Sequence, residues 1–474
     1  MSHYRYQTLV SEFAQEIAQG RLPPGERLPS IRDLAKTSGF SKTTVITAYS
    51  RLESMGLIES HPKSGFFVRA QPFHSPSRRA PSNSPLHTEP AVVSINQVIL
   101  DIMEQAASFD LLPGIEQWAG NIELRRCLSR AQRSQGLLEQ HYYDEPQGLL
   151  ALREQIASRT PAPQPLKADE VVITHGCQHA LLLALMATTQ AGDIVAIESP
   201  GFYGAIQLLD TLGLRAIELA SSPDTGLDLA AFEAAIKQWP IKSLITAPNF
   251  ATPTGAMMPE AAKRNLLSLC ISHGITVIED DVYSELYFGP NRPRSLFTYD
   301  TTGNVILCSS FSKALSRDLR VGWILPGMHL QRVKQLKVVT SIASSTTTQR
   351  GISLYMAQGG CDRHLKKRRS ELQRQATQWL NAVREHVPSI RSCSNPRGGL
   401  AFWAELPPRL DSLDLYSSAR KRGIILTPGP LFSPHKRYRN YLRLSFSEPL
   451  TEKRRQALCQ LQEIISARSG AGGE

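Results

Sequence analysis

The sequence predicts a multidomain chain: an N-terminal winged helix-turn-helix followed by a large α/β domain with a mostly parallel sheet. Three observations predict it. Over residues 1–70, apolar positions recur at helical spacing in three short stretches and then form two brief strand-like runs. Residues 71–90 carry no apolar period. Beyond residue 91, short apolar runs alternate with helical patterns, as expected of a parallel sheet covered by helices.

A length of 474 residues suggests two or three domains. Hydrophobic residues at 41% and charged residues at 20% are ordinary for a globular protein. The formal net charge of +11 favours anionic partners such as nucleic acid or phosphates. The seven cysteines lie far apart and include no Cys-x-x-Cys pair, which argues against a disulfide framework and a zinc site. The chain starts with polar residues, and no apolar run approaches the ~18 residues of a membrane span. A reducing, cytoplasmic protein is expected, with no metal and no membrane partner.

The first helix is carried by Tyr6, Leu9, Val10, Phe13 and Ile17, and Gly20 ends the pattern. A breaker-rich turn, Leu22-Pro-Pro-Gly-Glu-Arg-Leu-Pro29, follows. Ser30 caps a short second helix, with Asp33 three residues on and Ile31, Leu34 and Ala35 on its apolar side. After Gly39, Ser41 caps a third helix whose Val45, Ala48, Tyr49 and Leu52 face inward, and Gly56 ends it. Residues 57–60 and 66–68 read as a hairpin around His61-Pro-Lys-Ser-Gly65. Helix–turn–helix pairs also occur as plain packing units. The polar content points elsewhere: Lys42, Thr43 and Thr44 occupy the first turn of the third helix, where a recognition helix meets the major groove. Arg32, Lys36 and Lys63 are placed to meet phosphates.

The words Pro24-Gly-Glu-Arg-Leu-Pro-Ser-Ile-Arg-Asp-Leu-Ala35, Ser41-Lys-Thr-Thr-Val45 and Ala48-Tyr49 resemble the GntR family of transcription factors over residues 3–69. The resemblance implies a domain at 1–70 that binds a double-stranded DNA operator through Arg32, Lys42, Thr43 and Thr44, with wing support from Lys63 and Gly65.

Residues 71–90 hold five prolines and four serines and read as an extended, semi-stiff linker. The large domain is expected over 91–474. Its apolar strands are Val171–Thr174, Ile194–Glu198, Ala216–Leu219, Ser243–Ala247, Thr276–Glu279, Val305–Cys308 and Gly322–Leu325. Ligands of such sheets sit at the carboxyl ends of the strands.

In Val305-Ile-Leu-Cys-Ser-Ser-Phe-Ser-Lys-Ala-Leu-Ser-Arg-Asp-Leu-Arg-Val-Gly-Trp-Ile-Leu325, Lys313 follows a buried strand and a hydroxyl cluster. Desolvation there favours the neutral amine, which can form a Schiff base with an aldehyde cofactor. Ser310, Ser312 and Arg320 are donors suited to a phosphate. Most lysines are plain surface charges, so the partners of Lys313 carry the argument. Thr174-His-Gly-Cys-Gln178 opens the helix Ala180–Ala187; it is either an anion site or a simple strand-to-helix turn. Phe202, after a strand, either stacks on a planar ring or belongs to the core. Ile278-Glu-Asp-Asp-Val-Tyr283 ends a strand in carboxylates; Asp280 can keep a pyridine nitrogen protonated, and Tyr283 can bond a ring hydroxyl. Arg443, inside the strand-like run Tyr441-Leu-Arg-Leu-Ser-Phe446, needs an anion, either a ligand carboxylate or a structural partner.

Together these motifs resemble the fold-type I pyridoxal-phosphate enzymes, the aspartate aminotransferase superfamily (class I/II), over about residues 91–470. By that resemblance Lys313 forms the internal aldimine with pyridoxal 5'-phosphate and Asp280 pairs with the ring nitrogen. Tyr283 bonds the ring oxygen and Phe202 stacks on the ring. Cys177, Gln178, Ser310, Ser312 and Arg320 hold the phosphate, and Tyr143, in Tyr-Asp-Glu-Pro-Gln-Gly148, reaches the phosphate of the partner subunit. Arg443 takes the α-carboxylate of an amino-acid effector or substrate. Two positions depart from the family pattern: Thr252 stands where asparagine bonds the ring oxygen, with a shorter side chain, and Phe202 stands where tyrosine is usual. Both leave the efficiency of transamination open.

A GntR-type winged helix joined to an aminotransferase-like domain is the architecture of the MocR family. It implies a homodimeric, pyridoxal-phosphate-dependent transcription regulator that senses the cofactor or an amino acid. The competing reading is an active transferase, an aminotransferase with an accessory DNA-binding domain.

Overall fold

The computed structural model describes residues 5–18, 22, 25–55, 57–61, 65–68, 91, 92, 98, 100, 102, 110–112, 121–134, 136 and 143–470. The chain divides into two compact units, Met1–Ser77 and Arg78–Glu474. The expected linker at 71–90, and the breakers Gly20 and Gly56, lie outside the described residues.

The first unit is built from α1 (Arg5–Ala18), α2 (Ile31–Ser38), α3 (Lys42–Ser54) and the antiparallel strands β1 (Ile58–His61) and β2 (Gly65–Val68). The predicted caps form. The Ser30 hydroxyl accepts from the Asp33 N–H, the Ser41 hydroxyl accepts from the Thr44 N–H, and Gly39 ends α2 in the left-handed region at φ 71°. Leu9, Val45, Ala48, Tyr49, Leu52 and Ile58 fill one small core. Tyr49 organises it: its ring lies edge-on to Phe13 and Phe66, and its hydroxyl donates to the Pro29 carbonyl at 2.8 Å. Removing a buried ring of this kind typically costs about 3–5 kcal/mol, enough to unfold so small a unit.

Among the described residues the second unit contains a nine-stranded sheet. Its path runs β3 (Ala91–Val92), β6 (Arg215–Ser222), β5 (Ile194–Ser199), β8 (Ile241–Thr246), β9 (Thr276–Asp280), β10 (Val305–Ser310), β11 (Gly322–Leu325) and β4 (Val172–Thr174), with β7 (Gly226–Leu227) paired to β6. The central pairings from β6 to β10 are parallel; β3 and β11 run against their neighbours. All seven expected strands are present, most of them a residue or more longer. The expected helix at 180–187 spans Cys177–Thr188, so Cys177 and Gln178 form its first turn. A separate antiparallel sheet, β12 (Ser392–Cys393), β13 (Ala401–Glu405) and β14 (Tyr441–Ser445), carries Arg443.

Strand register brings the site together. Asp280 is paired with Cys308, Ser310 with Gly322, and Gly322 with Thr174. The ends of β9, β10 and β4 therefore lie side by side with the start of β11. Gly322 permits this approach: a Cβ there would come within 2.6 Å of the Gly176 and Ser309 backbones. Among the described residues no helix is long and apolar enough to cross a membrane. Nor do three or more His, Cys, Asp or Glu side chains there cluster to hold a metal ion.

Candidate functional site

Lys313 sits in the short helix Phe311–Ala314 that leaves the end of β10. Burial lowers its basicity, and Arg317 and Arg443 push the same way, while Tyr283 and Asp280 oppose them. The result favours a neutral amine more than an exposed lysine would. Asp280, at the end of β9, is pushed up to about 6 by burial. Its Oδ1 accepts from the Cys177 thiol at 3.4 Å and from the Val282 N–H at 3.2 Å. Burial alone would raise the Tyr283 phenol. Lys313, Arg443 and a hydrogen bond with Thr252 outweigh it, so the group ends below its ordinary value. Thr252 is thus among the groups that favour the ionised Tyr283 phenol, the residue expected to share the ring oxygen.

The anion cradle lies at the start of the helix Cys177–Thr188. Gly176 precedes it at φ 84°, ψ 174°, and no side chain caps its first N–H groups. Arg320 donates to the Ser312 hydroxyl at 3.5 Å and to the His175 carbonyl at 3.4 Å. Ser310 is buried and its hydroxyl accepts from the Ser312 N–H. A Cβ on Gly176 would meet Arg320 Nη2 at 2.9 Å, so the cradle exists only with glycine there. Backbone N–H groups, two serines and an arginine suit a phosphate monoester; a buried acid beside a lysine suits a pyridine ring and its aldehyde. The donor set fits pyridoxal phosphate.

Two expected phosphate ligands are turned elsewhere. The Cys177 thiol points at Asp280, and the Gln178 amide donates to the Gly204 carbonyl at 2.9 Å. Both residues can offer the cradle only their backbone N–H groups. Phe202 precedes the helix Tyr203–Thr211 and packs edge-on to Tyr203 at 4.8 Å. Tyr143 is 81% exposed, so its ring is not packed into the cleft. Arg443 is buried on β14, within electrostatic range of Lys313, Tyr283 and Tyr203.

Arg317 escaped the sequence reading. It is exposed, yet burial lowers its basicity, and it lies within electrostatic range of Tyr283 and Arg443. Its only signal in the sequence was a second base four residues after Lys313. Tyr203 was passed over too, as the neighbour of Phe202.

In the first unit, Arg32 is exposed on α2, and Lys42 and Thr43 are exposed on the first turn of α3. Thr44 is half-buried, its hydroxyl 2.8 Å from that of Ser41, so it serves the cap more than the groove. Gly65 opens β2 at φ 106°, with Arg27 against it. Lys63 lies outside the described residues.

Fold and site together define a winged-helix DNA-binding unit joined to a pyridoxal-phosphate aminotransferase fold. The comparisons give the same division. The family of bacterial regulatory proteins, gntR family, matches residues 5–68, and the aminotransferase class I and II family matches residues 121–461. The chain is 37% identical over 471 residues to the uncharacterized HTH-type transcriptional regulator YjiR of Escherichia coli (strain K12), covering 97% of this chain and 98% of that one. It is 33% identical to the regulator YdcR of the same organism, covering 98% and 99%. The solved structure of LysN, an alpha-aminoadipate aminotransferase from Thermus thermophilus complexed with N-(5'-phosphopyridoxyl)-L-leucine, superposes with a TM-score of 0.71 at 28% identity, over 80% of this chain and 96% of that one. The chain belongs to the aminotransferase class I and II family and, within it, to the MocR-type HTH regulators that carry a GntR domain.

Proposed function

We propose that the protein is a pyridoxal-phosphate-dependent, DNA-binding transcription regulator, acting in the cytoplasm as a homodimer. The observation that carries this reading is that one chain holds both a capped recognition helix and a cleft with Lys313, Asp280, Tyr283 and Arg320 converging on one cofactor's worth of donors. Its relatives of near-full length are named HTH-type transcriptional regulators. The working boundaries are 1–70 for the DNA-binding domain, 71–90 for the linker and 91–474 for the cofactor domain.

Bound at a lysine, pyridoxal phosphate supplies an electrophilic carbon for amines and a ring that withdraws electrons when its nitrogen is protonated. Each side chain has a part in that. The amine of Lys313, whose basicity burial lowers, is the nucleophile. Asp280, steadied by the Cys177 thiol, holds a proton on the ring nitrogen. Tyr283 and Thr252 would bond the ring oxygen, and Phe202 would cover the ring face. Ser310, Ser312, Arg320 and the N–H groups of Cys177 and Gln178 orient the phosphate, with Tyr143 serving the phosphate of the second subunit. Arg443 takes the carboxylate of an amino-acid ligand, and Arg317 stands beside it. Arg32, Lys42, Thr43 and the wing at Lys63 and Gly65 meet an operator. A ligand in the cleft changes operator affinity only by the difference in its affinity for the two conformations, typically 5–150-fold in regulated proteins.

Absorption spectroscopy and a transamination assay on the purified protein test this. A visible cofactor band with slow or no turnover of amino acids is expected. Rapid turnover without any effect of cofactor on DNA binding would leave the enzyme reading in its place.

A further inference from the structure

The exposed face of α3 extends beyond its first-turn polar residues. Lys42, Thr43, Ile46, Thr47 and Ser50 are exposed, while Val45, Ala48, Tyr49 and Leu52 are buried. Positions 43, 46, 47 and 50 follow the i, i+3, i+4, i+7 rule and share one face. Thr44 falls outside that set and is half-buried, its hydroxyl 2.8 Å from that of Ser41. On an otherwise polar face Ile46 is 48% exposed, the only large apolar side chain so placed among the described residues of α3.

Single exposed apolar residues are common and usually mean nothing. Position sets this one apart. It lies one turn inside the helix that follows the turn of the helix-turn-helix, between Lys42 and Thr43 on one side and Thr47 and Ser50 on the other. The same two helices expose basic side chains: Arg32 and Lys36 on α2, and Lys42 at the start of α3. A polyanion is therefore the partner whose charge complements it. In a major groove the one apolar group on the base edges is the thymine methyl, and apolar side chains at that depth read it. Ile46 is also stiff: a β-branched side chain in a helix keeps one main χ1 rotamer, so little entropy is lost on contact.

We infer that Ile46 is a specificity-determining residue that reads a thymine methyl in the operator. The inference rests on the DNA-binding reading above and adds a base preference to it. Thr47, the next residue on that face, turns its hydroxyl back to the Thr43 carbonyl at 2.9 Å.

The test uses the full-length protein. Duplexes are selected from a randomised library, and the enriched sequence is resynthesised with each thymine in turn replaced by deoxyuridine, which removes one methyl group. In the wild type, one replacement per half-site should weaken binding about fourfold, the worth of one buried methyl. In Ile46→Ala the same replacement should cost nothing, and the selected consensus should relax at that base pair. Arg32→Ala, as a phosphate-contact control, should weaken thymine and uracil duplexes equally and lower the salt slope by roughly one. Because Ile46 is exposed, the melting temperature of Ile46→Ala should match that of the wild type. A flat uracil scan in the wild type, or the same uracil penalty in both proteins, overturns the inference and leaves DNA binding intact. Failure to enrich any sequence overturns both.

Discussion

Gly176→Ala probes the phosphate cradle at the point where the geometry is least forgiving. At φ 84° and ψ 174° the backbone occupies a region essentially reserved for glycine. An alanine there costs about 1–3 kcal/mol of stability, with or without cofactor. The new Cβ would also stand 2.9 Å from Arg320 Nη2. The guanidinium can swing away cheaply, but in doing so it leaves the Ser312 hydroxyl and the His175 carbonyl, and with them the cradle. A lost charge-assisted hydrogen bond is worth about 1.5–3 kcal/mol, which weakens cofactor binding roughly 10- to 150-fold. The assay is a titration of the cofactor-free protein with pyridoxal phosphate, followed by absorbance, beside a thermal melt. Arg320→Ala should show the same loss of affinity without the loss of stability. If both variants bind the cofactor within about twofold of the wild type, the phosphate does not sit between Gly176 and Arg320.

Other substitutions separate the remaining roles. Lys313→Ala should abolish the visible chromophore and leave no borohydride-reducible adduct; persistence of either assigns the anchor to another lysine. Arg443→Ala should keep the cofactor but weaken an amino-acid ligand by a few kcal/mol, read as a rightward shift in spectral titrations; loss of folding instead would make Arg443 a structural partner. Asp280 has a folded value of about 6 against an ordinary 3.8, so folding favours its protonated form. Stability of the cofactor-free protein is therefore lost as pH rises from about 4 through 6, and above that Asp280→Asn should regain up to about 3 kcal/mol. Below about pH 4 the two proteins should unfold at the same denaturant concentration, and an equal gap at both ends of the range would contradict the burial argument.

The fold was legible in the sequence wherever residues carried a period or a breaker. Ser30, Ser41 and Gly39 announced the helix ends, and the apolar runs announced seven strands of the large sheet. The two-residue strands β3, β7 and β12 had no run long enough to show a period. The site was legible as residues but not as directions. Lys313, Asp280 and Tyr283 do converge, because register places Cys308 beside Asp280. Side-chain aim at a helix start was hidden. Cys177 and Gln178 turn to Asp280 and Gly204, partners 103 and 26 residues away. Nothing in the sequence joined Thr252 to Tyr283; the fold brings them close enough for Thr252 to lower the Tyr283 phenol. Thr44, expected at the groove, is half-buried with its hydroxyl 2.8 Å from that of Ser41, and Ile46 shares the outward face with Thr43.

The central claim is that the cofactor cleft governs the DNA-binding unit. The direct measurement is operator affinity at fixed salt for wild type and Lys313→Ala, each with and without pyridoxal phosphate. Lys313 belongs to the second unit and the recognition helix to the first. The account predicts that cofactor shifts the wild-type isotherm, or its dependence on an added amino acid, and leaves the Lys313→Ala isotherm where it was. Four superimposable isotherms, from a wild type that carries the chromophore, would contradict it.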